Sequence, residues 1–158
     1  MNQGLLSPDV AAEVDPLVCR DVLNQCGSFS LRKASRAVTQ LYDDALQPVG
    51  LRSTQVVVLL TVAASNEPNM TRLAYELVTS PSTLSRSILP LQRDGYLEVK
   101  SDGGRGKIVT LTAKGHEKLL EVTPYWQKAQ AKFLDLVGEA SWQELSQRLA
   151  GMVKIVHG

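Results

Sequence analysis

Cysteine is nearly absent from this chain. Cys19 and Cys26 are the only two among 158 residues, so neither a disulfide framework nor a multi-cysteine zinc site can be built. Histidine is equally scarce. His116 and His157 have no companions at ligand spacing, and no metal site or cofactor is expected. No nucleophile–histidine–acid set or paired-carboxylate motif occurs, so the chain is not expected to be an enzyme. Long apolar runs are missing too. The longest, Val56 to Ala64, is about half the ~20 residues needed to cross a membrane. The N-terminus carries acids rather than a basic, apolar signal, and a cytoplasmic location is expected. Charge of one sign is also lacking, with 17 Lys and Arg against 16 Asp and Glu. Contact with phosphates then depends on where the cations cluster, not on their sum. What remains is an ordinary globular composition, 44% apolar and 21% charged, of a length suited to one core.

Residues 1–13 read as a loosely held arm, and 14–158 as one domain. From Val14 to Val49 the spacing is helical, and Leu31, Ala34, Val38, Leu41 and Ala45 form a heptad-like seam closed by Pro48 and Gly50. Over 113–156 the pattern returns in Leu119, Val122, Trp126, Ala129, Phe133 and Leu136, then after Gly138 in Trp142, Leu145, Leu149, Met152 and Val156. Ser141-x-x-Glu144 reads as a capping box opening the last helix. These narrow stripes suit contact with a partner helix and make 14–49 and 113–156 the expected dimerisation helices. An intramolecular bundle is the alternative.

The segment 53–112 has a different texture. Ser53 is placed to cap a helix to about Ser65, a short helix follows from about Thr71 to Leu77, and Ser80 with Pro81 opens another that stops at Gly95. On that last helix Leu84, Ile88 and Leu91 share one face and point to a core. Ser82, Arg86 and Arg93 project oppositely, with Thr83 and Ser85 on the flanks and no acid before Asp94. Hydroxyls and guanidiniums in that arrangement suit phosphates and base edges in the DNA major groove. A merely solvated face would mix Glu and Lys. Pro90 should bend the last turn. Leu97 to Lys100 and Lys107 to Leu111 read as strands joined by Ser101-Asp-Gly-Gly-Arg-Gly106. Arg105 stands at the tip of this hairpin to enter a narrow groove, with Lys107 beside it. The glycines lack the Gly-Lys-Ser/Thr and following helix of a phosphate cradle. The expected fold is mainly α with a small β-hairpin wing: a winged helix-turn-helix domain flanked by N- and C-terminal dimerisation helices.

The sequence resembles the MarR family of transcriptional regulators. The resemblance is carried by Ser35-Arg-Ala-Val-Thr-Gln-Leu-Tyr42 followed by Gly50-Leu51, by Leu73-Ala74, and by Thr83-Leu-Ser-Arg86. Leu91-x-x-Asp-Gly-Tyr-Leu97 and Arg105 ahead of Val109-Thr-Leu-Thr112 complete it. It spans roughly residues 20–156. It implies a homodimer binding pseudo-palindromic double-stranded DNA, most simply as a repressor, with Ser82, Thr83, Ser85 and Arg86 at groove-reading positions and Arg105 as the wing arginine. Two departures stand out. Gly103 replaces the acid usual two residues before that arginine, and Val78 stands where many such turns have glycine. A β-branched residue is ill suited to positive φ, so another turn geometry is expected. A winged-helix module that binds protein instead of DNA is the competing reading.

Some family members sense peroxide through a cysteine in the first helix. That position is Ser28 here, and Tyr42 matches the tyrosine that hydrogen-bonds the cysteine. Cys26 is the nearby thiol, with Arg32 and Lys33 about two turns along to favour a thiolate; a buried structural cysteine is the alternative. Cys19 and Cys26, about 10 Å apart along one continuous helix, cannot bridge. The other signal the family implies is a small aromatic or phenolic ligand in a crevice between the dimerisation helices and the winged domain.

Overall fold

A computed structural model describes residues 15–65, 68–101, 103–104 and 106–157. The arm expected over 1–13 lies outside the described residues, as do Asp102 and Arg105. The element order is α1 (Pro16–Gln25), α2 (Gly27–Leu46), a 3-10 turn (Gln47–Val49), α3 (Ser53–Ala64), α4 (Met70–Glu76), α5 (Pro81–Arg93), β1 (Leu97–Ser101), β2 (Lys107–Leu111), α6 (Ala113–Val137) and α7 (Glu139–His157). This is the expected mainly helical architecture with one hairpin. No single helix among the described residues is long and apolar enough to cross a membrane. The chain divides into two compact units, 1–37 and 38–158.

In the first unit the single helix expected from Val14 is broken. Asp15 caps α1, its carboxylate accepting the Leu17 N–H at 2.8 Å, with Pro16 in the first turn. At Cys26 the backbone becomes extended, φ −76° and ψ 107°. Gly27 follows, and glycine disfavours helix interiors. The Cys26 Sγ accepts the Phe29 N–H at 3.4 Å at the start of α2. The two thiols therefore do not sit on one continuous helix; both are free. No residue of α1 is buried, and Leu17, Val18 and Val22 are exposed.

The second unit holds the core. Leu46, Val56, Leu59, Leu73, Leu84, Ile88, Leu91, Leu97, Val109 and Val122 belong to one buried aliphatic cluster drawn from α2 to α6. No polar side chain is buried among the described residues. Arg52, not Ser53, precedes α3 as its cap, and its N–H donates to Gln55 Oε1 at 2.9 Å. Ser53 is the first helical residue, and its N–H, which the helix start leaves open, donates to Asp43 Oδ1 at 2.6 Å. Asn69 caps α4, starting it one residue before Thr71, by accepting the Arg72 N–H at 2.8 Å.

The turn after α4 corrects the expectation for Val78, which does adopt a positive φ of 49°. Its N–H donates to the Tyr75 carbonyl at 3.0 Å, and the Thr79 N–H reaches the Ala74 carbonyl at 2.9 Å. These are the two bonds of a Schellman motif. They pair carbonyls that the helix end would leave open, and they hold even a β-branched residue in the left-handed region. Ser80 then caps α5 as expected, its hydroxyl accepting the Thr83 N–H at 3.2 Å, and Gly95 ends the helix at φ 81°.

The strands pair antiparallel, Leu97 with Leu111 through Ser101 with Lys107. The Val109 N–H also donates to Pro68 O at 3.0 Å, so the segment before α4 lies along β2. Thr112 caps α6, and at Gly115 a Cβ would meet the Tyr96 carbonyl at 2.2 Å, so the helix start approaches the hairpin closely. Further along, Tyr42 of α2 lies 6.3 Å from the Phe133 ring of α6, which packs edge-on against Trp142 of α7 at 4.9 Å. The helix expected to open with a Ser141 capping box begins earlier: Gly138, at a positive φ of 85°, ends α6, and α7 already starts at Glu139. No residue of α7 is buried.

Candidate nucleic-acid interface

The Ser80-Pro81 start and the 3-4 spacing of apolar residues fix which side of α5 faces inward. Leu84, Ile88 and Leu91 are 1%, 3% and 0% exposed. Ser82, Thr83, Ser85, Arg86 and Arg93 are all exposed on the other side and flanks. The hydroxyls at the helix start form a cluster around the cap: Ser80 Oγ lies 3.0 Å from Ser82 Oγ and donates to Thr83 Oγ1 at 2.9 Å. Side chains so tied are positioned before any partner arrives, which lowers the entropy of ordering them. Arg86 makes no ion pair among the described residues, whereas Arg93 Nε lies 3.3 Å from Asp94 Oδ1. The latter pair is exposed and weak.

Lys107 opens β2 opposite Ser101 and is exposed, and Lys100 pairs with Glu98 at 2.9 Å. At the hairpin tip Gly103 and Gly104 both have positive φ, 55° and 108°. A side chain at Gly104, at φ 108°, would be strained, and Gly103 leaves the turn without the acid usual in the family. Arg105, expected as the wing's groove-entering residue, lies outside the described residues.

Two features here carry residues that the sequence did not single out. The first is Leu89, 66% exposed on the same side of α5 as Arg86 and Arg93. Its spacing of three from Arg86 and seven from Ser82 is legible in the sequence, but an apolar side chain carries no signal for base or phosphate contact by itself. The second is a cavity of about 490 Å³ whose wall includes Tyr42 and Leu46 of α2, Val57 and Leu60 of α3, Leu77 and Thr79 of the α4–α5 turn, Leu84 and Ser87 of α5, and Trp126 of α6. It lies where the family resemblance puts a crevice. Among the described residues no charged side chain lines it. The Tyr42 hydroxyl donates to Gln130 Oε1 at 2.5 Å, and burial pushes its pKa above the ordinary tyrosine value.

Of the residues expected to form a thiol sensor, Cys26 and Arg32 line separate hollows. Cys26 shares a shallow hollow with Val18, Asp21, Val22 and Gln25. Arg32 lines another with Leu31, Ser35 and Arg36. The charged residue that shares the Cys26 hollow is the acid Asp21, and no cation lines it among the described residues.

Neither a family model nor a curated protein sequence matches the chain. Solved structures do. The transcriptional regulator MosR of M. tuberculosis is 30% identical over 84% of this chain and 96% of its own, with a TM-score of 0.73. MosR in complex with DNA aligns at 29% identity over 83% of this chain and 97% of its own, TM-score 0.72. AbsC, a MarR family transcriptional regulator from Streptomyces coelicolor, is 24% identical over 84% of this chain and 93% of its own, TM-score 0.70. CouR from Rhodococcus jostii RHA1, bound to p-coumaroyl-CoA, shares the fold at 18% identity, 82% of this chain, 93% of its own and TM-score 0.70.

Proposed function

The chain belongs to the MarR family of transcriptional regulators, and from that premise we propose that it is a homodimeric repressor that reads double-stranded DNA with α5 and braces it with the hairpin wing. The observation that carries this reading is the outer side of α5, where Arg86, without an ion pair among the described residues, stands among exposed hydroxyls with the buried Leu84, Ile88 and Leu91 opposite. Arg86 is the base-reading group, since a guanidinium can pair with both major-groove acceptors of guanine. Ser82, Thr83, Ser85 and Arg93 hold phosphates or base edges beside it, and Lys107 with Arg105 meets the backbone or minor groove at the wing. A protein-interaction module would have no use for so much oriented hydrogen-bonding capacity without a charged counterpart.

Homodimerisation rests on the apolar residues that α1 and α7 leave exposed, Leu17, Val18, Val22, Ile155 and Val156 among them. Two-fold symmetry then requires an inverted repeat with half-sites about 10 bp apart. Of the two signals considered, a small molecule in the cavity is favoured over an oxidant at Cys26. The cavity wall includes Leu84 and Ser87 of the reading helix, so an occupant that prefers one placement of α5 shifts the population of DNA-competent dimers. Cys26 shares its hollow with an acid.

The test is a salt-dependent gel shift on a duplex selected from a random pool. The parent should prefer its selected sequence and weaken as salt rises. Arg86→Ala should lose about 1–3 kcal/mol of binding and relax its preference at one base pair. Equal binding of parent and variant to all duplexes would remove α5 as the reading element.

A further inference from the structure

A single exposed leucine is ordinary on a protein surface. Leu89 is unusual for its company. It follows Ser82 by seven residues, Ser85 by four and Arg86 by three, and precedes Arg93 by four. On an α-helix those offsets place all five side chains along one stripe. The stripe is exposed throughout, with Leu89 itself 66% accessible, while the buried Leu84, Ile88 and Leu91 occupy the opposite side. An apolar side chain thus sits in the middle of a polar, cationic surface, with no packing role in its own chain.

The offsets 0, 3, 4 and 7, here Ser82, Ser85, Arg86 and Leu89, are those at which a helix lying in the major groove, such as that of a homeodomain, presents side chains to base edges. Three members of this set can hydrogen-bond. The fourth cannot, and its chemistry restricts what it can meet. Base edges in the major groove display donors and acceptors with one apolar exception, the C5-methyl group of thymine. Leu89 facing cytosine N4 or guanine O6 would desolvate a polar group without pairing it, which costs binding energy.

We propose that Leu89 is a specificity-determining residue that packs on a thymine methyl group in each half-site. The inference rests on the reading of α5 as the groove-inserted helix. Leu89 is three residues beyond Arg86, about 4.5 Å along the helix axis, so this thymine lies about one or two base pairs from the base that Arg86 reads.

Deoxyuridine tests this directly, because it pairs like thymidine and lacks only the methyl group. A duplex is selected from a random pool with the full chain, and each half-site thymine is replaced in turn, symmetrically in both halves. At one position the parent should bind about three- to fivefold more weakly per half-site, the factor expected for one methyl group removed from an apolar contact. Leu89→Ala should bind thymidine and deoxyuridine duplexes equally there, yet keep its dependence on the Arg86 base pair. Leu89→Met, which keeps apolar reach, should retain the discrimination. The exposed position leaves the fold unburdened, and unchanged thermal melting of both variants checks this. Uniform indifference to the methyl groups overturns the proposal while leaving α5 as the reading helix, as does methyl discrimination that survives in Leu89→Ala. So does a loss of dimer in Leu89→Ala by sedimentation, which would assign the leucine to a protein contact. A pool yielding no preferred duplex overturns groove reading itself, and this proposal with it.

Discussion

Helices α5 and α7 are both amphipathic, but they end in opposite situations. In α5 the apolar stripe is consumed by its own chain, with Leu91 fully buried against α3, α4 and the hairpin core. In α7 nothing is buried, and Ile155 and Val156 remain 86% and 81% exposed. The winged segment therefore finds its apolar cover within its own chain, in one aliphatic cluster to which Leu46 of α2 and Val122 of α6 also contribute. The terminal helices leave a large apolar area in water, which is normal only where another surface covers it. Reading and pairing are thus divided between segments with different energetic needs.

The sharpest way to break this comparison is to truncate one residue from each stripe. Leu91→Ala should cost about 2–5 kcal/mol of unfolding free energy at every protein concentration, because the cavity it leaves is internal to the chain. Ile155→Ala and Val156→Ala should change stability little at high dilution and lower it as concentration rises, since the lost contact belongs to a dimer. Denaturant unfolding at two protein concentrations separates the outcomes. If α7 variants lose the same stability at both, its stripe is not a dimer surface.

Legibility followed the same division. The start of α5 could be read from Ser80-Pro81, its inward face from Leu84, Ile88 and Leu91, and the hairpin from its glycines, because each depends on residues a few positions apart. The break at Cys26 was hidden because apolar residues continue on both sides of it, Val18 and Val22 before and Phe29 and Leu31 after, leaving Gly27 as the warning. The Ser141 box satisfies a local rule, but Gly138 turns the chain first. The cavity was illegible for another reason: its walls come from residues as far apart as Val38 and Trp126, and only the packed fold brings them together. Its size was a matter of tertiary arrangement, not of motif.

Val78 offers a gentler test inside the winged segment. Holding a β-branched residue at φ 49° costs about 1–3 kcal/mol, part of which the two Schellman bonds offset. Val78→Gly removes that strain while adding backbone freedom to the unfolded chain. The net expectation is a gain of about 1 kcal/mol in unfolding free energy, measured at fixed protein concentration. A loss of stability would mean that the valine side chain, half exposed as it is, makes contacts worth more than its backbone strain.

The smallest effect concerns the joint between α3 and α4. Glu76 accepts hydrogen bonds from Arg72 Nε at 2.9 Å and from Ser65 Oγ at 3.1 Å, and these contacts hold its carboxyl below the ordinary glutamate pKa. A carboxylate whose pKa is depressed in the folded state contributes stability above its unfolded pKa and loses it as pH falls through the lower folded value. The carboxylate is open to solvent, so salt should screen most of the contribution. Comparing the parent with Glu76→Gln therefore gives a signed expectation. The parent should be slightly the more stable at neutral pH and low salt. The difference should close as pH falls below the normal carboxylate range, and it should also shrink at high salt. A difference that persists in acid would have to come from the geometry of the Ser65 and Arg72 hydrogen bonds, which glutamine can still accept, and would take charge out of the account of this joint.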